Sequence, residues 1–205
     1  MKKLVLSILF LLSVSFLQAQ STDFKPQWFL GAKGGALLSS VSFTPSIGSS
    51  FALGTNCGLM ARYISNKYMW LQFELLYEEK GWREPQNNHN RVLHYLSLPF
   101  VTHITFGKKA ARGFFNVGPE VSYLLKEDGL LYQAEFPQHE PVVNKFDYGI
   151  VGGLGFEIRT KVGIYQLEAR YYFGIGNIYG NSATAAFNLS SNQNIAINFA
   201  ILFGL

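Results

Sequence analysis

From Met69 to Tyr77 every second residue is apolar (Met69, Leu71, Phe73, Leu75, Tyr77), while Gln72, Glu74 and Glu78 lie on the other face of a period-2 ribbon. The pattern predicts a strand with one greasy face and one charged face. In a soluble protein the greasy face packs a core. In a membrane barrel it points outward into lipid and the charges point in. Alternation alone leaves both arrangements open.

Seven further segments alternate in the same way, giving predicted strands at 28–38, 50–64, 68–80, 92–106, 113–125, 145–159, 162–174 and 194–205. Most reach the roughly 9 to 11 residues that a tilted transmembrane strand requires. The connections alternate too. Ser65 to Lys67, Gly107 to Arg112 and Thr160-Lys161 are short, whereas 39–49, 81–91, 126–144 and 175–193 are longer and polar or glycine-rich. Short turns at one end and long loops at the other, with both termini at the short-turn end, match an outer-membrane barrel.

The faces agree with that plan. Phe115, Val117, Val121, Tyr123 and Leu125 alternate with Asn116, Gly118, Glu120 and Ser122, and Tyr165, Leu167, Ala169, Tyr171 and Phe173 with Gln166, Glu168, Arg170 and Tyr172. Inverting the faces into a lipocalin-type soluble barrel would spread a few charges thinly over the surface of a chain with only 15% charged residues. Trp28, Tyr63, Tyr77, Trp82, Phe106, Tyr148 and Phe173 lie near strand ends, as in interfacial girdles. No apolar run beyond the first twenty residues approaches the length of a spanning helix.

The N-terminus reads as a secretory signal peptide, with Lys2 and Lys3, an apolar stretch from Leu4 to Phe16, and a cleavage box at Leu17-Gln18-Ala19. The expected organisation is thus a cleaved leader, 1–20, followed by one barrel domain, 21–205. Losing those two lysines lowers the formal charge from +4 to +2, since they belong to the 17 Lys and Arg that face 13 Asp and Glu. A near-neutral chain whose longest basic run is Lys108-Lys109 gives no electrostatic footprint for nucleic acid. Cys57 is the lone cysteine, so no intramolecular disulfide forms. Its place on the apolar face predicts a buried thiol.

The segments FLGAKGGALLSS, ELLYEEKGW, HYLSLPFVTHI, NVGPEVSYLL, DYGIVGGLGFEI and EARYYFGIGNI, in this order along the chain, resemble the small outer-membrane β-barrel family labelled porin-like or PorT-like. The resemblance spans essentially all of 21–205. It implies an all-β, eight-stranded antiparallel transmembrane barrel in the bacterial outer membrane. The founding name implies an accessory role in protein secretion and surface attachment, although most relatives carry no assigned activity. Outer-membrane barrels usually end in an aromatic residue read by the insertion machinery. This chain ends Phe203-Gly204-Leu205, so its last strand is expected to serve that machinery through Phe199 and Phe203.

Charges on the polar faces are the first candidates for function: Lys33, Arg62, Glu74, Glu78, Lys80, Glu120, Asp147, Glu157, Arg159, Glu168 and Arg170. An eight-stranded barrel is just wide enough for its side chains to fill it, so these groups are expected to neutralise one another as a plug. A narrow channel for small solutes is the alternative. In the long loops Trp82, Arg83, Tyr132, Phe136 and His139 are the expected contacts with secretion or surface-assembly proteins or with outer-membrane lipid.

Catalytic signals are weak. No Gly-x-Ser-x-Gly elbow or HExxH pair occurs, and a rim constellation such as Glu78, His94 and Ser182 is the form that a barrel enzyme acting on lipid or peptide would take. Gly149, Gly152, Gly153 and Gly155 superficially match a dinucleotide loop, but they lie within a strand and no helix follows. No residues have metal-ligand spacing, and no cofactor is expected.

Overall fold

The computed structural model describes residues 26–44, 50–65, 69–84, 89–107, 110–129, 142–179 and 189–205. Eight strands run β1 (Gln27–Thr44), β2 (Ser50–Ile64), β3 (Met69–Glu84), β4 (His89–Phe106), β5 (Ala111–Asp128), β6 (Phe146–Arg159), β7 (Ile164–Gly174) and β8 (Leu189–Gly204). Each pairs antiparallel with its sequence neighbours, and β1 pairs with β8 from Phe29↔Gly204 to Thr44↔Leu189, which closes the barrel. Closure satisfies every strand's backbone hydrogen bonds within the wall and leaves no edge. The segment expected as a cleaved leader, 1–20, lies outside the described residues.

Several strands are longer than the hydrophobic pattern predicts, and all the large extensions are at the long-loop end. Segments 39–49 and 81–91, expected as loops, are mostly strand: β1 continues through Ser39 to Thr44, β3 through Gly81 to Glu84, and β4 begins at His89. β8 likewise starts at Leu189, where Ser190, Ser191, Asn192 and Gln193 precede the apolar series. Once a strand projects past the bilayer its outer face no longer has to be apolar, so pairing continues after the alternation ends.

The greasy face is outside. Leu71, Phe73, Leu75 and Tyr77 of β3 are exposed, and so are Leu96, Leu98 and Phe100 of β4 and Leu154, Phe156 and Ile158 of β6. Gln72, Glu74, Glu78 and Lys80 are buried in the lumen. Cys57 belongs to the outer face with Leu53 and Leu59 and is exposed rather than buried, because the apolar face of this barrel is its exterior.

Two local devices shape the wall. Small residues let bulky lumen groups approach it: a Cβ added to Gly153 would lie 2.5 Å from Glu168 Oε1, and one on Gly155 2.7 Å from the Phe114 ring. In β5 a bulge leaves Leu125 unpaired, since His94 pairs with Lys126 and Tyr95 with Leu124. The extra residue reverses the facing of the strand above it.

Candidate functional site

Among the described residues, side chains from opposite walls meet across the lumen. In a ring of eight strands, those four apart stand on opposite walls, and side chains from such pairs meet at several levels. Near the short-turn end Arg62 of β2 donates to Glu157 of β6 at 3.1 Å and to Gln166 at 2.8 Å. Its Nε holds Gln72 Oε1 at 2.8 Å, and Nη2, which also serves Gln166, holds it at 2.5 Å. One layer up, Arg170 of β7 grips Glu74 of β3 with two nitrogens at 2.8 and 2.7 Å, the bidentate fork that carboxylate and guanidinium shapes favour. Lys33 of β1 joins Glu74 at 3.1 Å and Glu168 at 2.6 Å. Asn116 donates to Glu168 at 2.6 Å, and Gln72 donates to Glu74 at 2.5 Å. The two layers are therefore one continuous network.

Above them Lys80 sits between Glu78 and Glu120, each at 3.0 Å, and its ammonium lies 4.3 Å from the centre of the Tyr172 ring on the opposite wall. Ser97 donates to Glu78 at 2.6 Å. Asp147 accepts a hydrogen bond from Asn192 at 2.9 Å.

Apolar and aromatic groups cover both ends of this charged column. At the short-turn end Trp70, His103 and Phe114 stack in series with ring centroids 5.0 and 4.8 Å apart, beside a cluster of Met60, Ile164, Ala200 and Leu202. At the other end Val41, Trp82, Leu93, Tyr95, Leu124, Val142, Ile178 and Tyr179 form one buried cluster. Val142 and Ile178 come from the chain before β6 and after β7. They are tied in by Val142 N donating to Glu127 at 3.0 Å and Ile178 N donating to the Ser190 carbonyl at 2.9 Å. Arg91 lies over the Trp82 ring and donates to Glu127 at 2.6 Å.

Ten of the eleven predicted lumen charges, Lys33, Arg62, Glu74, Glu78, Lys80, Glu120, Asp147, Glu157, Glu168 and Arg170, are buried there. Arg159 stands at the rim, a quarter exposed, with its guanidinium 2.7 Å from Glu157 and over the Trp70 ring. The sequence reading placed Gln72, Asn116 and Gln166 on the polar faces without counting them among the candidates, and it missed Asn192 and Arg91. Both lie in segments expected as loops, which the structure shows as extensions of β4 and β8.

Trp82 requires a correction. Expected as an extracellular contact, it is fully buried in the upper cap, because β3 continues past Gly81 and keeps Trp82 on the same inward face as Glu78 and Lys80. Arg83, one residue on, is exposed. Tyr132, Phe136 and His139 lie outside the described residues. The constellation of Glu78, His94 and Ser182 is not assembled as such. Glu78 points into the lumen, where it accepts from Ser97, His94 faces outward, where it meets Tyr77 Oη at 2.6 Å and Asp128 at 2.9 Å, and Ser182 lies outside the described residues.

Residues 18–180 match the family model described as an outer membrane protein beta-barrel domain. The chain belongs to this family. The barrel is accordingly a protein of the bacterial outer membrane, with its greasy exterior in lipid. Its fold is similar to the crystal structure of the outer membrane protein OprG from Pseudomonas aeruginosa, with a TM-score of 0.53 and 14% identity over 87% of this chain and 94% of that one. It is also similar to Neisserial surface protein A, NspA, with a TM-score of 0.51 and 12% identity over 87% of this chain and 99% of that one. No curated protein is significantly similar in sequence.

Proposed function

We propose that this barrel is a sealed, non-catalytic element of the outer membrane that acts by structure or interaction and does not conduct solutes. The observation that carries the reading is the pair of ionic contacts across the full width of the lumen, Arg62 to Glu157 and Arg170 to Glu74. Each closes the bore at its own level, and the caps exclude water above and below. Its interaction surface is then the crown of strand ends past the bilayer, where Arg83 is exposed. A secretion or surface-assembly role, as the PorT-like resemblance implies, would be exercised there and not through the lumen.

Planar-bilayer recording of the purified, refolded chain tests this reading. The expected trace shows no stable conductance step. A reproducible open level would replace the sealed element with a narrow channel. Hydrolysis of outer-membrane lipid or of peptide by the same preparation would overturn the non-catalytic part.

A further inference from the structure

On the exterior, at the long-loop end, lies a groove of about 510 Å³ between β5 and β6. Its floor is aromatic: Tyr123 and Phe146 meet edge-on with centroids 5.0 Å apart, and Tyr148 continues the surface down β6. Its upper wall is made by the polar Asn144, Lys145 and Asn177 together with Val143. Asn144 is fixed by donating to the Asn177 carbonyl at 2.6 Å, and the Lys145 carbonyl accepts from Leu124 N at 2.7 Å, so the wall is pinned to the sheet. Lys145 is exposed and forms no ion pair among the described residues. The bulge at Leu125 adds to the same side. It turns Lys126, which an uninterrupted strand would place in the lumen, onto the outer face, where its ammonium lies 2.7 Å from Asp128.

The place of this groove decides what can fill it. It opens on the lipid-facing wall where the apolar exterior gives way to polar residues, which is the level of the outer-leaflet headgroups. An occupant must be apolar below and polar above, and the unpaired cation selects a negative charge. We propose that the Tyr123–Phe146–Tyr148 groove, with Lys145 at its head, holds one phosphorylated glycolipid of the outer leaflet, its phosphate on the Lys145 ammonium and its acyl chain along the aromatic floor. The Asn144 side-chain oxygen is left to accept from a sugar hydroxyl. Asp128 is paired with Lys126 at 2.7 Å and hydrogen-bonded to His94, so it does not cancel the attraction at Lys145.

Native mass spectrometry of the refolded barrel in nanodiscs containing bisphosphoryl lipid A tests the assignment. The wild-type barrel is expected to retain one glycolipid. Lys145→Ala should retain about fivefold less, the effect of one lysine at an anionic membrane surface, and Lys145→Arg should retain it as the wild type does. Lys161→Ala, the same loss of charge at the turn between β6 and β7, should change nothing. Equal loss from Lys145→Ala and Lys161→Ala would overturn the site, as would undiminished retention of a dephosphorylated lipid A. Because Lys145 is exposed, folding of each variant can be verified independently by the heat-dependent mobility shift of the barrel. None of these outcomes depends on whether the lumen conducts.

Discussion

Arg62 on β2 and Glu157 on β6 stand on opposite walls of the barrel, yet their charged groups are 3.1 Å apart and both are fully buried. The contact makes the lumen a cross-braced interior and not a bore. It also sets how the barrel should respond when a brace is removed. Replacing one partner of a buried ion pair leaves the other charge without compensation, which is far more costly than replacing both with apolar groups.

Arg62→Met is therefore expected to destabilise the barrel by about 1 to 3 kcal/mol, less than for a carboxylate left wholly alone because Arg159 still faces Glu157 at 2.7 Å. It removes the contact to Glu157 and also the donors to Gln72 and Gln166. Urea-induced unfolding from lipid vesicles measures the change. A loss below about 1 kcal/mol, the range of exposed ion pairs, would mean that the pair is solvated in the membrane-inserted protein.

The seal has several layers, so opening it should require several changes. Trp82→Ala removes the largest side chain of the upper cap but leaves Arg170 clamped on Glu74 beneath it, and the variant is expected to remain closed in single-channel recordings. Adding Glu74→Ala and Arg170→Ala together removes the mid-lumen brace without leaving either partner's charge alone, but Arg62 on Glu157 and the Trp70–His103–Phe114 stack still close the bore beneath it, so the triple variant is also expected to stay closed. Steps from Trp82→Ala alone would place the entire barrier in the cap.

The position of the bilayer on the wall follows from where the exterior stops being apolar. Leu98, outward at the middle of β4, should tolerate arginine poorly, at a cost of about 2 to 4 kcal/mol near the midplane. Ser40, on the extended part of β1 opposite Gln193, should accept the same substitution for roughly 0 to 1 kcal/mol. Equal costs in vesicle unfolding would mean that the bilayer reaches the strand extensions.

Period-2 alternation made the membrane part of this fold legible, because lipid on one side and charge on the other impose opposite chemistries on successive residues from Met69 to Tyr77 and from Phe146 to Ile158. Above the bilayer that contrast disappears. Ser39 to Thr44 and Leu189 to Gln193 carry serine, asparagine and glutamine on both faces, and they pair as strands without announcing it. Trp82 was misplaced for the same reason: the pattern around it weakens where the strand leaves lipid, although its parity with Glu78 and Lys80 already assigned it to the lumen. The bulge at Leu125 has no local signature, since the run Tyr123-Leu124-Leu125-Lys126 reads equally well as straight strand. What fixes it is the pairing of Tyr95 and His94 on the neighbouring β4.

Packing at the short-turn end gives the last expectation, through two glycines three residues apart on β6. Gly155 faces the lumen, paired with Phe114, and an added methyl would press on the Phe114 ring and on the Leu167 carbonyl. The ring cannot retreat, because it stacks on His103 at 4.8 Å and His103 on Trp70 at 5.0 Å. Gly155→Ala should therefore cost about 1 to 3 kcal/mol through overpacking. Gly152 faces outward, and a methyl there meets nothing within 4 Å, so Gly152→Ala should be neutral or slightly stabilising through reduced freedom of the unfolded chain. Unfolding both variants from the same vesicles makes each the control for the other. Equal stability would mean that the Trp70–His103–Phe114 stack is loose enough to yield, and the lower seal of the lumen with it.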